Sequence, residues 1–148
     1  MPMGVLDPGC RNWRPLARSR PVASIIACVC IDSVDPFPLA EFWMAVLGWV
    51  IVDRDDTGVS LAAPGTRMPT LDIIKVPERK AGKNRLHLDL RADGCSTADE
   101  LDRLLGLGAT RADVGQGPDV SWVVLADPEG NEFCLLQRTA QEVEASSA

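Results

Sequence analysis

The sequence predicts an α+β fold in which one unit, a strand, a helix and then three strands, is used twice. Three observations predict it. Residues 22–32 and 85–91 both read as strands, the first from β-branched and small apolar residues, the second from strict alternation of leucine with polar residues. Each is followed by a helical apolar stripe that stops at glycine, at Leu47-Gly48 and again at Leu105-Gly106, 58 residues later. Further pairs keep nearly the same offset: Cys28 and His87 differ by 59, Ile74 and Cys134 by 60, and "SLAAPG" at 60–65 echoes "VLADPEG" at 124–130 at an offset of 64. Identity between the halves is low, so the repeat is one of pattern.

The elements follow in order. After the strand at 22–32, Asp35 stands as N-cap and Pro36 as first helical residue, because proline's missing N–H is no loss there. Leu39, Phe42, Trp43, Val46 and Leu47 form the stripe of the first helix. Short strands are expected near 49–53, 58–63 and 70–76, punctuated by Asp56-Thr57-Gly58 and Pro64-Gly65. The second unit opens with the strand at 85–91. Ser96 or Thr97 then offers a cap for a helix whose stripe is Leu101, Leu104 and Leu105. A short strand near 109–113 precedes two longer ones at 120–126 and 132–137, joined by the turn Asp127-Pro128-Glu129-Gly130-Asn131. Residues 1–20 read as a disordered or poorly ordered extension, with a transit peptide as the other reading of its four arginines. Residues 21–138 read as the domain, its modules meeting near 80, and residues 139–148 as a frayed polar tail.

Bulk properties narrow the function. A chain of 148 residues, 46% hydrophobic and 24% charged, suits one globular domain with a proper core. The net charge of −6 repels phosphate backbones, so nucleic acid is not an expected partner. No apolar run is long enough for a membrane span. Five cysteines with no C-x-x-C pair read as reduced thiols in a cytoplasmic protein.

The only histidine, His87, lies in "KNRLHLDLR". Side chains alternate along a strand, so Leu86, Leu88 and Leu90 should pack beneath the second helix while Arg85, His87, Asp89 and Arg91 share the other face. A polar face on so central a strand must meet water or a ligand. By the offset of 59, Cys28, Cys30 and Asp32 occupy the equivalent face of the first strand. Glu132, Cys134 and Leu136 share a face of the last strand, with Asp72, Ile74 and Val76 as counterparts.

With these elements in place, "DPFPLAEFWMAVLGW", "VPERKAGKNRLHLDL" and "LADPEGNEFCLL" together resemble the glyoxalase-like branch of the vicinal oxygen chelate superfamily over roughly residues 22–138. The resemblance implies two βαβββ modules whose curved sheets form a cup around a small-molecule ligand, and a homodimer. In its metal-dependent members each module gives one ligand from its first strand and one from its last. Carried over, those positions are Cys28, Ile74, His87 and Cys134. Ile74 cannot bind a metal, which leaves Cys28, His87 and Cys134 as the set for a zinc-like divalent ion. Without a metal these cysteines are small apolar core residues.

Imidazole exchanges a proton near neutrality, so His87 is the candidate acid/base, with Asp89 or Asp32 to fix its tautomer. Arg85, Trp122, Glu132 and Trp49 are candidate ligand contacts: charge at the strand entrance, aromatic rings for stacking, and a carboxylate facing the cup. Glu129 is expected to be solvated, and Lys80 and Lys83 to attract an anionic ligand or lie at a solvated edge. Two functions fit. One is an enzyme of the lyase or isomerase type acting on a small oxygen-rich metabolite. The other is a metal-free protein that sequesters a ligand, as bleomycin-binding members do.

Overall fold

The computed structural model describes residues 22–147. The reading of residues 1–20 as a poorly ordered extension therefore lies outside the described residues. Among the described residues, eight strands and three helices follow one another as β1 (Cys28–Ser33), α1 (Pro36–Leu47), β2 (Val50–Arg54), β3 (Gly58–Ala62), β4 (Thr70–Lys75), β5 (Asp89–Leu90), α2 (Thr97–Gly106), β6 (Thr110–Arg111), β7 (Trp122–Ala126), β8 (Glu132–Leu136) and α3 (Ala140–Ala145). The twice-used unit is present. Each module forms a four-stranded mixed sheet, with order β1-β4-β3-β2 in the first and β5-β8-β7-β6 in the second. In each, the first strand runs parallel to the last and the other pairings are antiparallel.

α1 forms where expected. Pro36 opens it and Gly48, at φ 65, closes it, a left-handed conformation that costs glycine nothing. Asp35 holds the N-cap place, yet its side chain caps nothing; its own N–H donates to Ser33 Oγ at 3.1 Å. Leu39, Phe42, Trp43 and Val46 are buried against β3 and β4. Trp43 meets Phe42 and Phe133 edge to face at 5.4 and 5.2 Å, and Phe133 belongs to the second module. One apolar cluster therefore serves both modules. Gly58 sits so close to β4 that a Cβ there would strike the carbonyl oxygen of Ile73. α2 begins at Ser96, whose hydroxyl accepts from the Asp99 N–H. Arg103 then reaches from α2 to the last turn of α1 and donates to the carbonyls of Ala45 and Val46 at 2.8 and 2.9 Å.

Three expectations are corrected. Residues 22–27 are not strand. β4 starts at Thr70, which pairs with Cys28, so residues 22–27 have no partner strand among the described residues beyond one bond from Thr70 N–H to Ala27 O. Residues 85–88 are not strand either, because pairing with β8 starts at Asp89. Leu86 is 90% exposed and does not pack beneath α2, although Leu88 and Leu90 do reach the core. The tail contains α3, started by a capping box in which Thr139 Oγ1 accepts from Glu142 N–H and Glu142 Oε2 accepts from Thr139 N–H. Gln141 Nε2 ties it to Asp93 at 2.6 Å.

Candidate functional site

A cavity of about 820 Å³ opens between the modules. Its walls include Cys28, Cys30 and Asp32 from β1 and Arg79, Lys80, Arg85 and His87 from the segment leading into β5. Asn131, Glu132 and Phe133 line it from the start of β8. A second cavity of about 410 Å³ adjoins it, bounded by His87, Asp89, Trp122, Cys134 and Leu136. His87 and Glu132 stand on the wall common to both.

Strand alternation explains the placement. Asp89 pairs across with Cys134, and His87 lies two residues earlier on the same side. Ligand atoms of His87, Asp89 and Cys134 lie within 4.8 Å of one another. His87 Nε2 stands 3.2 Å from Asp89 Oδ1, both side chains being nearly half exposed. Asp89, rather than Asp32, is thus the carboxylate that orients the imidazole; Asp32 lines the larger cavity. Burial, then the charge and hydrogen bonding of Asp89, push the Cys134 thiol up to about 11.

Cys28 does not join this group. Its Sγ lies 3.8 Å from Cys30 Sγ, and both approach Asp72 on β4. The counterpart assignment changes as well. Cys30 pairs with Asp72 as Asp89 pairs with Cys134, and Ser60 faces Asp72 as Val124 faces Cys134. The module-one counterpart of Cys134 is therefore Asp72, not Ile74. The connection from β3 to β4 is two residues longer than that from β7 to β8, which shifts the offset after residue 62. The signal was in the sequence: the offset of 64 that aligns "SLAAPG" with "VLADPEG" already differs from that of Ile74 and Cys134.

Glu132 faces the cavity, but its carboxylate is engaged. Lys80 Nζ donates to Oε1 at 2.9 Å and the Asn84 N–H to Oε2 at 3.0 Å. Burial opposes ionisation, yet these two partners together hold Glu132 below the ordinary glutamate range. Lys80 is thereby turned from a free cation into half of an internal pair. Arg79 and Arg85 line the cavity with no carboxylate partner among the described residues. Trp122, 40% exposed, borders the smaller cavity, whereas Trp49 is half-buried against the core and borders neither.

Sequence reasoning missed the structural role of the turn at 127–131. Asp127 is buried and accepts from Trp43 Nε1 at 3.1 Å, from Asn131 Nδ2 and from the N–H groups of Glu129 and Asn131. Glu129 is half-buried rather than solvated; its Oε1 accepts from the Val34 N–H at 2.9 Å, joining the modules.

Residues 28–136 match the family described as glyoxalase-like domain. No curated protein matches the chain. The fold is similar to a glyoxalase/bleomycin resistance protein/dioxygenase family enzyme from Burkholderia phytofirmans PsJN, with TM-score 0.57 and 18% identity over 76% of this chain and 97% of that one. It is also similar to a variant of the fosfomycin resistance protein FosX from Listeria monocytogenes, solved with Mn(II) and 1S,2S-dihydroxypropylphosphonic acid. There the TM-score is 0.61 and the identity 12% over 82% of this chain and 98% of that one. The bleomycin resistance determinant encoded on transposon Tn5 gives TM-score 0.53 and 21% identity over 78% and 98%. At these identities the likeness is one of fold.

Proposed function

Because the chain belongs to the glyoxalase-like domain family, within the vicinal oxygen chelate superfamily, we propose that it holds a small oxygen-rich metabolite in the larger cavity, with His87 exchanging a proton with it. The observation that carries this reading is the convergence of His87, Asp89 and Cys134 where the two cavities meet. Asp89 occupies Nε2 of the ring and leaves Nδ1 for a ligand atom. The guanidinium groups of Arg79 and Arg85 suit carboxylate or phosphonate oxygens. Proton transfer by an oriented imidazole is the step that a lyase or isomerase of small oxygenated molecules needs.

The same three side chains offer nitrogen, oxygen and sulfur, a set that suits a divalent ion of the zinc type. Such an ion, when bound, would polarise a ligand oxygen. Cys134 would give up its proton to join the set, against the burial that now keeps it on. The burial of Cys134 is the observation that favours the second reading, metal-free sequestration of the ligand. Cytoplasmic location agrees with the free thiols of the described residues. A homodimer would cover the exposed Val22, Ile25, Ile26 and Val29; a monomer in sedimentation would remove that part.

The test screens small oxygenated acids by thermal shift against wild type and His87→Ala, beside metal analysis of protein purified without chelators. A ligand at one hundred times its Kd stabilises by about 2.7 kcal/mol, or roughly 5–10 °C for a chain of this length. That shift should vanish in His87→Ala. An equal shift in both proteins removes His87 from the site. Less than about a tenth of an equivalent of metal leaves sequestration as the reading.

A further inference from the structure

We propose that the ligand of the larger cavity is a zwitterion, an amino acid whose ammonium group meets the β1 wall and whose carboxylate meets the segment before β5. This rests on the reading that the cavity holds a small metabolite, and it assigns the chemical class. Charge is the ground for it. Asp32, Glu78 and Glu132 line the cavity against Arg79, Lys80 and Arg85, three of each sign. A wall with balanced charge does not draw in anions over other molecules. One pair is spent internally: Lys80 Nζ donates to Glu132 Oε1 at 2.9 Å, so neither charge is left for a ligand. Asp32, Arg79 and Arg85 form no ion pair among the described residues.

The remaining charges of opposite sign come from different elements. Cys28, Cys30 and Asp32 share the cavity face of β1 by strand alternation. Asp72 on β4, directly across from Cys30, adds a second carboxylate near this wall, and its Oδ1 is buried with no hydrogen-bond partner among the described residues. No cation from β1 or β4 lines the cavity. What these carboxylates lack is a donor, and an ammonium group brings three with a positive charge. The free cations, Arg79 and Arg85, both lie on residues 77–87. Their planar forks match the two oxygens of a carboxylate. A sphere of 820 Å³ is about 12 Å across, so one short chain reaches from the first group to the second. An acid without an amine leaves Asp32 unmet, and an amine without an acid leaves both guanidinium groups unmet.

The test uses the full natural chain without a tag, so that His87 is its only imidazole. The probes are straight-chain amino acids from glycine up to six carbons, each beside the acid that lacks the amine and the amine that lacks the acid. Binding is read from the backbone amide NMR spectrum, and contact with His87 from its ring signals. At least one amino acid should saturate at a concentration at least about tenfold below that of either partner, because a hydrogen bond between charged groups is worth that factor or more. Asp32→Asn should lower its affinity to that of the plain acid, and Arg79→Gln with Arg85→Gln to that of the amine; the same spectrum shows that each variant is folded. Acids that bind as tightly as amino acids would overturn the proposal. So would amino acid binding indifferent to Asp32→Asn, or no saturable shift by any probe. Acid binding that needs His87 but no ammonium group removes the zwitterion and leaves proton exchange at His87 standing. A preference for amino acids that survives His87→Ala does the reverse.

Discussion

Glu132→Gln tests how the segment before β5 is held in place. In the folded protein Lys80 Nζ lies 2.9 Å from Oε1 and the Asn84 N–H 3.0 Å from Oε2, with only 18% and 13% of the Lys80 and Glu132 side chains exposed. The amide keeps the shape and can still accept from Asn84. It loses the charge that makes both bonds strong, and it leaves Lys80 with one acceptor, the carbonyl of Gly82 at 2.6 Å. A hydrogen bond to a charged group is worth about 1.5–3 kcal/mol, and one such bond is lost outright, so about 2 kcal/mol of stability should go. Urea denaturation reads this as a lower midpoint at unchanged slope.

The pH dependence carries its own sign. Glu132 ionises more readily folded than unfolded, so its contribution is complete above the unfolded glutamate range. It drains away as pH falls through the lower folded value. The gap between wild type and variant should therefore close on acidification. A variant within about 0.5 kcal/mol of wild type at neutral pH would refute the reasoning, as would a gap that persists after acidification.

Asp127→Ala removes the acceptor of Trp43, Asn131 and Glu129 and should cost about 3 kcal/mol by urea denaturation, since buried donors are left unpaired. Burial lifts Asp127 above the ordinary aspartate range against the pull of Asn131 and Trp43. Its titration therefore favours the fold at low pH and lowers stability as pH rises through that window, a slope that the alanine variant should lack in the same measurement. Leu86→Ser should change stability by no more than about 0.5 kcal/mol, because the side chain is 90% exposed; a loss above about 1.5 kcal/mol would mean that residue 86 packs as strict alternation implies.

That last contrast shows where sequence stops being informative. α1 was legible because its signals are local: Pro36, a stripe at helical spacing, and Gly48. The span of β1 and β5 was not, because a strand needs a partner as well as a period. Alternation at 85–91 is real, but β8 begins at Glu132, and residues 80–84 bind the Glu132 side chain rather than a neighbouring strand. α3 carried a Thr139-x-x-Glu142 capping box in plain view, in a segment read as a frayed polar tail; the helix is short and buries none of its residues. In the site, alternation placed His87 and Asp89 on one face and the family resemblance added Cys134; the three come together. Cys28 was separated from them by its pairing with β4, which no spacing within β1 reveals.

The duplication itself accounts for the two donor groups. In each module the first strand runs parallel to the last, so residues two apart on the first and one residue on the last converge on a single face. Once the longer β3–β4 connection is allowed for, Cys28, Cys30 and Asp72 occupy the same backbone places as His87, Asp89 and Cys134. The fold thus presents a trio of inward side chains twice, and what each trio does is set by its surroundings. The first has two exposed thiols on the wall of the larger cavity and a carboxylate oxygen buried with no partner among the described residues. The second has a buried thiol, a carboxylate on the smaller cavity and an imidazole on the wall common to both cavities, which suits a molecule large enough to fill one of them.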